Sequence, residues 1–308
     1  MSRLVTLIGG AGFVGRALTE VLAHAGWRIR IVSRNAAHGL RLKPLGELGQ
    51  IDSVAGDVRS AASMARAVAG ADAVVNFVGI LKPAGGASFD AIHARGAATV
   101  ARAAADGGVA QFVQVSAIGA DANSASAYGR SKAAGEAAVL AAFPNAAIVR
   151  PSLIFGAEDG FTNRFAGLMA LAPVVPVIAP ATRFQPVYVG DVAAAIAAIL
   201  ERVLSGRFDL AGPEVRTMRQ LNEMIADASG LKRHFIDVPD IGARLLAGLG
   251  FLPGAPLTAD QYAMLQRDNV AEAGVPGLAA LGVTPTPMGA VIGGWLARYR
   301  PGGRFAKA

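Results

Sequence analysis

The chain has 308 residues, of which 53% are hydrophobic and 17% charged, with 38 glycines and a formal net charge of +7. That composition excludes a disordered or collagen-like protein, and the length allows one large domain or a domain with an added lobe. There is no cysteine, which excludes disulfides, thiolate metal sites and a cysteine nucleophile.

The charge is unevenly placed: residues 1–150 carry 15 basic and 9 acidic side chains, residues 151–308 carry 14 and 13. An excess of +6 against +1 predicts an anionic ligand in the first half. Nucleic acid is not expected, because no basic helix and no Lys/Arg-aromatic interleaving occurs. The first predicted strand begins within a few residues of Met1, so no signal or transit peptide is expected. The longest uncharged run, between Arg164 and Arg183, is broken by Pro173, Pro176 and Pro180 and does not read as a spanning helix. A cytoplasmic protein is expected, with peripheral contact at the inner membrane left open. The basic tail RYRPGGRFAKA reads as a solvated end, phospholipid headgroups being the alternative.

In chain order, RLVTLIGG predicts a buried parallel strand and GFVGRALTEVLAHAG a helix ending at Gly26. WRIRIVSRN is a second strand and IDSVAGD a third. The helix AASMARAVAGA and a fourth strand, DAVVNFVG, follow. A long Ala-rich helix is predicted over about 88–106, then a fifth strand AQFVQVSA, the helix YGRSKAAGEAAVLAAF and a sixth strand NAAIVRPSLIFG. This alternation predicts an α/β fold, a doubly wound parallel sheet with right-handed crossovers. After Gly156 regularity fades. VYVGDVAAAIAAILERV predicts a helix and GRFDLAG a strand; helical pieces from Thr217 on predict a small C-terminal lobe. The expected organisation is a Rossmann core over 1–156, a substrate-lobe segment over 157–185, a return to the core over 186–212, and the lobe over 213–308.

GGAGFVG follows a strand and opens a helix, placing Gly9, Gly12 and Gly15 at spacings of three, with Phe13 and Val14 in the first helical turn. Glycine there permits a tight turn and lets backbone N–H groups approach a pyrophosphate, so dinucleotide binding is expected. The second strand ends in Ser33, Arg34 and Asn35 rather than in the carboxylate that holds the ribose 2′-hydroxyl of NAD. Ser33 and Arg34 suit a 2′-phosphate, which favours NADP(H) over NAD(H). Asp57 and Val58, after the third strand, fall where an adenine edge would lie, and Asp57 equally fits a cap for the next helix. Val78 and Gly79, after the fourth strand, fall near the ligand crevice.

In SAYGRSKAAGE, Tyr128 and Lys132 are four apart on a predicted helix and share a face. A phenol beside an ammonium has a lowered pKa and suits acid/base work.

Taken together, the glycine loop and YGRSKAAGE, between VSA and VRPSLIFG, resemble the short-chain dehydrogenase/reductase superfamily in its extended or atypical branch, over roughly residues 3–212. The resemblance implies that Ser116 steadies the substrate oxygen, Tyr128 is the acid/base, and Lys132 holds the nicotinamide ribose and depresses the tyrosine pKa. It implies carboxamide contacts from Pro151 and Ile154. FPNAAIVRPSLIFGAEDGFTNRFA, FQPVYVGDVAAAI and GVTPTP are similar to the NADPH-binding accessory subunits of respiratory complex I and their bacterial relatives, some implicated in ubiquinone biosynthesis. That likeness implies a tightly held nucleotide. With the largely uncharged, proline-rich segment between Arg164 and Arg183 suggesting an apolar substrate, an oxidoreductase for a small apolar carbonyl compound or quinone is expected. The alternative is a non-catalytic NADPH-binding subunit or assembly factor of a membrane-bound respiratory or quinone-synthesis complex.

Two departures stand out. His93 occupies the position where an asparagine orders the relay water, and is read as a proton relay or as a packed helix histidine. The polar loop ADANSASA is short, which makes Ser124 or Ser126 alternatives to Ser116. His24, His38 and His234 lack metal-ligand spacing, so no metal is expected. Arg164, Arg183 and Gln185 are read either as lining the substrate mouth or as solvated loop residues. IGARLLAGLGFLPGAPL is read as core helix or as a surface resting on a bilayer or partner.

Overall fold

The computed structural model describes residues 2–248, 250, 257–300 and 302–303. Residues 251–256 of the Leu/Gly-rich stretch, and 304–308 of the basic tail, lie outside the described residues. The chain divides into two compact units: Met1–Pro151 with Gly190–Leu210 and Ala273–Val283, and Ser152–Val189 with Ala211–Glu272 and Thr284–Ala308.

The first unit holds a seven-stranded sheet in which every pairing is parallel. Its strands are β1 (Leu4–Ile8), β2 (Arg28–Ser33), β3 (Ile51–Ala55), β4 (Ala73–Asn76), β5 (Gln111–Val115), β6 (Ala147–Pro151) and the edge strand Gly206–Leu210. The spatial order is Gly206–Leu210, β6, β5, β4, β1, β2, β3, the doubly wound arrangement expected from the alternation. β1, β4 and β5 are buried along their whole length, which is why they read as continuous apolar runs rather than alternating ones. Leu4, Val74, Phe112, Ile148 and Val100 belong to one core cluster under this sheet.

Strand order reverses between β1 and β4, whose registers end level at Ile8 and Asn76. A ligand crevice forms at such a switch point, beyond the carboxyl ends of the strands. Ala273–Val283 joins this unit late in the chain, the Asp209 N–H donating to Pro276 O at 3.0 Å.

Three elements differ from expectation. The segment expected as one helix over 88–106 is π-helical over Asp90–Gly96 and α-helical only over Ala97–Asp106. The sixth strand stops at Pro151. Ile154–Phe155 instead pairs with Val187–Tyr188 inside the second unit, so the following helix runs Val189–Arg202 rather than from Val187. A proline nitrogen donates no ladder hydrogen bond, which suits a strand end.

The second unit has its own core, including Phe155, Met169, Val175, Leu221, Ile225 and Leu296. Its Met218–Ala228 helix starts at a capping box between Thr217 and Gln220. Among the described residues, three two-stranded ribbons accompany the helices. Among the described residues no helix is long and apolar enough to cross a membrane.

Candidate functional site

The loop after β1 is shaped by close backbone approach. Gly9 has φ +78°, the left-handed region that glycine enters without strain, and its N–H donates to Val32 O at 2.8 Å. A Cβ on Gly15 would fall 2.4 Å from the Gly10 carbonyl oxygen, so this glycine lets the Phe13–His24 helix seat against the loop. Gly12 is the N-cap, extended at φ −81° and ψ 178°, and no side chain caps that end. First-turn N–H groups without a capping side chain, at the positive end of a helix, suit a diphosphate. Phe13 and Val14 form that first turn and are half-buried.

A cleft of about 720 Å³ opens over this loop, within the first unit. Of the residues expected to bind a nucleotide, Gly9, Gly12, Ser33, Arg34, Asn35, Asp57, Val58, Val78 and Gly79 all line it. Phe13, Val14, Gly15, Lys132, Pro151 and Ile154 do not. At the β2 end, Ser33 Oγ donates to Asn35 O at 2.7 Å, and Asn35 Oδ1 accepts the Ala37 N–H at 3.0 Å. These bonds turn the chain and leave Arg34 exposed.

Opposite lies Asp57, gripped by Arg59 through Nε at 3.0 Å and Nη2 at 2.6 Å. The Arg59 hydrogen bond holds the Asp57 carboxyl below its ordinary range, with smaller help from the charge of Arg34. Asp57 does not cap the next helix; Ser60 does, accepting the Ser63 N–H. Arg59 also lines the cleft and was not singled out in the sequence, although its place two residues after Asp57 was visible there. Asn76 was likewise missed. It is buried at the end of β4, its amide donates to Gln114 Oε1 at 2.9 Å, and its Oδ1 accepts the Val78 N–H at 3.1 Å. It thereby sets the path of Val78 and Gly79.

Tyr128 and Lys132 stand on the Ala127–Ala142 helix, capped by Ser126, which accepts the Gly129 N–H at 2.9 Å. Ser124 Oγ lies 3.3 Å from Ser126 Oγ. Both loop hydroxyls are thus engaged in building the helix start. Ser116 differs: its N–H donates to Val149 O at 2.7 Å, while its buried Oγ has no hydrogen-bond partner. Lys132 is buried and its Nζ donates to Val115 O at 3.4 Å, so it sits against the residue preceding Ser116. Glu136, one turn on, forms a two-point pair with Arg150, Nε to Oε1 at 2.7 Å and Nη2 to Oε2 at 2.5 Å.

The electrostatics run against the expected depression of the phenol. Burial pushes the Tyr128 pKa up to about 12. Burial pulls Lys132 down to about 8, against the opposing charge of Glu136. With Nζ 5.8 Å from the Tyr128 ring centre, desolvation outweighs the attraction of the ammonium for a phenolate.

His93 is packed rather than solvated: it lies edge-on to the Tyr128 ring at 5.4 Å and stacks on Phe89 at 5.5 Å. Pro151 ends β6 in the first unit, and Ile154 belongs to the second. Arg183 pairs with Asp268 at 2.6 Å, and the Gln185 amide donates to Gly212 O at 2.8 Å, both inside the second unit. Gln185 is therefore held in the framework of that unit, whereas the exposed Arg183 is tied to a neighbouring loop.

A glycine cradle, an uncapped helix start, a cleft edged by arginines and an unpaired buried hydroxyl beside Lys132 fit a dinucleotide with a reacting group at the strand ends. Residues 5–210 match the NAD dependent epimerase/dehydratase family, the extended branch of the short-chain dehydrogenases/reductases, and the chain belongs to it. It is 32% identical to "NADH dehydrogenase [ubiquinone] 1 alpha subcomplex subunit 9, mitochondrial" of Dictyostelium discoideum, over 98% of this chain and 86% of that one. It is 34% identical to a ceramide reductase of Caulobacter vibrioides, over 78% of this chain and 74% of the relative. The triphenylmethane reductase of Citrobacter sp. shares the fold, with a TM-score of 0.74 at 19% identity, covering 96% of this chain and 99% of that structure.

Proposed function

We propose that this protein is an NADP(H)-dependent oxidoreductase for an apolar carbonyl or quinone-like compound. The observation that carries this reading is the Ser116 hydroxyl, buried without a partner at the end of β5, next to the strand residue that Lys132 contacts. An unpaired buried hydroxyl costs roughly 1–3 kcal/mol, which a substrate oxygen accepting from it recovers.

Ser116 holds the substrate oxygen, and Tyr128 gives or takes its proton. Lys132 binds the nicotinamide ribose and, as an ammonium, favours the phenolate. Gly9, Gly12 and Gly15 with the first turn of the helix hold the diphosphate, and Asp57 and Val58 flank the adenine. Arg34 binds the 2′-phosphate from the exposed side of the cleft, with Ser33 and Asn35 shaping the turn. Val78 and Gly79 line the crevice, and Pro151 provides a carboxamide contact. Bound NADP(H) supplies or accepts the hydride.

The largely uncharged run between Arg164 and Arg183 supports an apolar substrate, and the likeness to a ceramide reductase points the same way. Similarity over 98% of the chain to a subunit named for NADH dehydrogenase favours a second reading. In it the protein is a non-catalytic NADPH-binding subunit docked on a membrane-bound respiratory or quinone-synthesis complex. Mass spectrometry of the nucleotide released on denaturation, followed by turnover against quinone and ketone panels, tests the first reading. NADPH oxidation by any of them supports it. A bound nucleotide that resists oxidation throughout, with co-purification of membrane proteins, supports the second.

A further inference from the structure

His93 sits in the π-helical Asp90–Gly96 segment and is 3% exposed. Its two ring nitrogens have opposite roles. The Ile80 N–H donates to Nε2 at 2.9 Å, so Nε2 presents a lone pair and carries no proton. The proton is then on Nδ1, which faces Ser131 Oγ at 2.8 Å. The Ser131 hydroxyl spends its own proton on the Tyr128 carbonyl oxygen at 2.7 Å. Donors and acceptors alternate without conflict for one species alone, the neutral imidazole protonated at Nδ1. Burial, aided by the charge of Lys132, holds the ring's pKa down at about 3, in keeping with the neutral form that the hydrogen bonds require.

The ring surfaces are used as fully as its nitrogens. Tyr128 meets His93 at 90°, and Phe89 packs on both rings, at 5.5 Å from His93 and 6.0 Å from Tyr128. The backbones are closed together as well, since a Cβ on Gly135 would fall 2.1 Å from the His93 carbonyl oxygen. Gly79 separates the two nitrogens: a Cβ there would lie 3.2 Å from Lys132 Nζ and 3.5 Å from His93 Nε2. π-Helical turns inside α-helices are frequent at functional sites, and this one carries the side chain that accepts from the Ile80 N–H and faces Ser131 Oγ.

We propose that His93 is a positioning residue for the Tyr128 phenol, a neutral imidazole tying the Ile80 backbone beyond β4 to the first turn of the Tyr128 helix through Ser131. The proposal rests on the reading of Tyr128 as the acid/base. It assigns His93 no contact with substrate and no proton transfer. Its effect is on where the phenol stands relative to Lys132, hence on the phenol's acidity once nucleotide is bound.

The test uses the NADP(H)-bound protein labelled with fluorotyrosine, whose more acidic phenol titrates in an accessible range, and follows Tyr128 by fluorine NMR. The Tyr128 signal is assigned as the one missing in Tyr128→Phe. His93→Phe keeps an aromatic ring and removes both hydrogen bonds, Ser131→Ala removes only the bridge, and His93→Gln restores a donor and an acceptor. The expected result is a Tyr128 midpoint shifted by about half a pH unit or more in the first two variants, with His93→Gln closer to wild type. A midpoint unmoved in Ser131→Ala and in any folded His93→Phe overturns the proposal, and Ser131→Ala alone decides if His93→Phe does not fold. Because this measurement needs no turnover, it is separate from the acid/base reading, which fails instead if Tyr128→Phe retains full activity.

Discussion

Lys132 Nζ lies 5.8 Å from the centre of the Tyr128 ring, one helical turn along the same face, and burial moves the two acidities in opposite directions, apart from each other. The phenol is raised to about 12 and the ammonium lowered to about 8. Without nucleotide, burial therefore disfavours both the phenolate and the ammonium. Polar contacts from a bound nucleotide would offset part of this desolvation, which couples nucleotide binding to the acidity of the phenol.

Replacing Tyr128 by Phe keeps the ring and its packing on His93 and Phe89 while removing the hydroxyl. Turnover should fall by about 10²–10⁴-fold, the usual contribution of a positioned acid/base. NADPH affinity, measured by fluorescence titration, should change little. Unchanged turnover removes Tyr128 from the chemistry.

Lys132 predicts a pH dependence of stability without nucleotide. Its folded pKa of about 8 lies below the ordinary lysine value of 10.5, so between these pH values the unfolded chain binds more protons and stability rises with pH. Denaturant unfolding of the nucleotide-free protein should show a gain of the order of 3 kcal/mol from pH 8 to 10.5, at 1.36 kcal/mol per pKa unit. Lys132→Met should lack this rise. The same slope in both proteins assigns it to other groups.

Arg34 is exposed at the edge of the cleft opposite Asp57. Arg34→Ala should weaken NADPH by about 10–100-fold, the loss of one charge-assisted hydrogen bond of roughly 1.5–3 kcal/mol, and leave NADH nearly unchanged. Equal losses for both nucleotides, by calorimetric titration, would refute recognition of the phosphate.

A methyl group on Gly15 has no room, with the Gly10 carbonyl oxygen 2.4 Å from its position. Gly15→Ala should destabilise by about 1–3 kcal/mol through overpacking and weaken every dinucleotide alike by displacing the loop. Scanning calorimetry and nucleotide titration check the two effects. A variant with wild-type melting temperature and affinity contradicts the packing described for this loop.

Glu136 and Arg150 have side chains only 10% and 15% exposed. Glu136→Gln leaves the guanidinium without its counter-charge and should cost about 3–5 kcal/mol. It should also lower the Lys132 pKa further, since Glu136 is the charge that raises it. NMR titration of Lys132 reads that shift; an upward shift would contradict the electrostatics of this helix face.

Much of this was legible locally. The glycine loop, the apolar strands and the Tyr128–Lys132 spacing each depend on a few neighbouring residues, and nine of the residues expected to bind nucleotide line a single cleft. Other assignments turned on contacts distant in sequence. Ser116 is distinguished from Ser124 and Ser126 by which hydroxyl remains unpaired. The role of His93 depends on Ile80 and Ser131, 13 and 38 residues away. No helical periodicity announces that Asp90–Gly96 is wound as a π-helix, because it differs from an α-helix by hydrogen-bond spacing, not by the pattern of apolar residues.

The sequence by itself determined the doubly wound sheet and the place of the nucleotide loop, since both follow from short-range periodicity and from glycine's freedom at a tight turn. Only the tertiary structure decided the direction of the Tyr128 and Lys132 pKa shifts, which of the three serine hydroxyls stays unpaired and the tautomer of His93. Those depend on desolvation and on donor–acceptor matching, which exist only once distant segments have closed around the side chain.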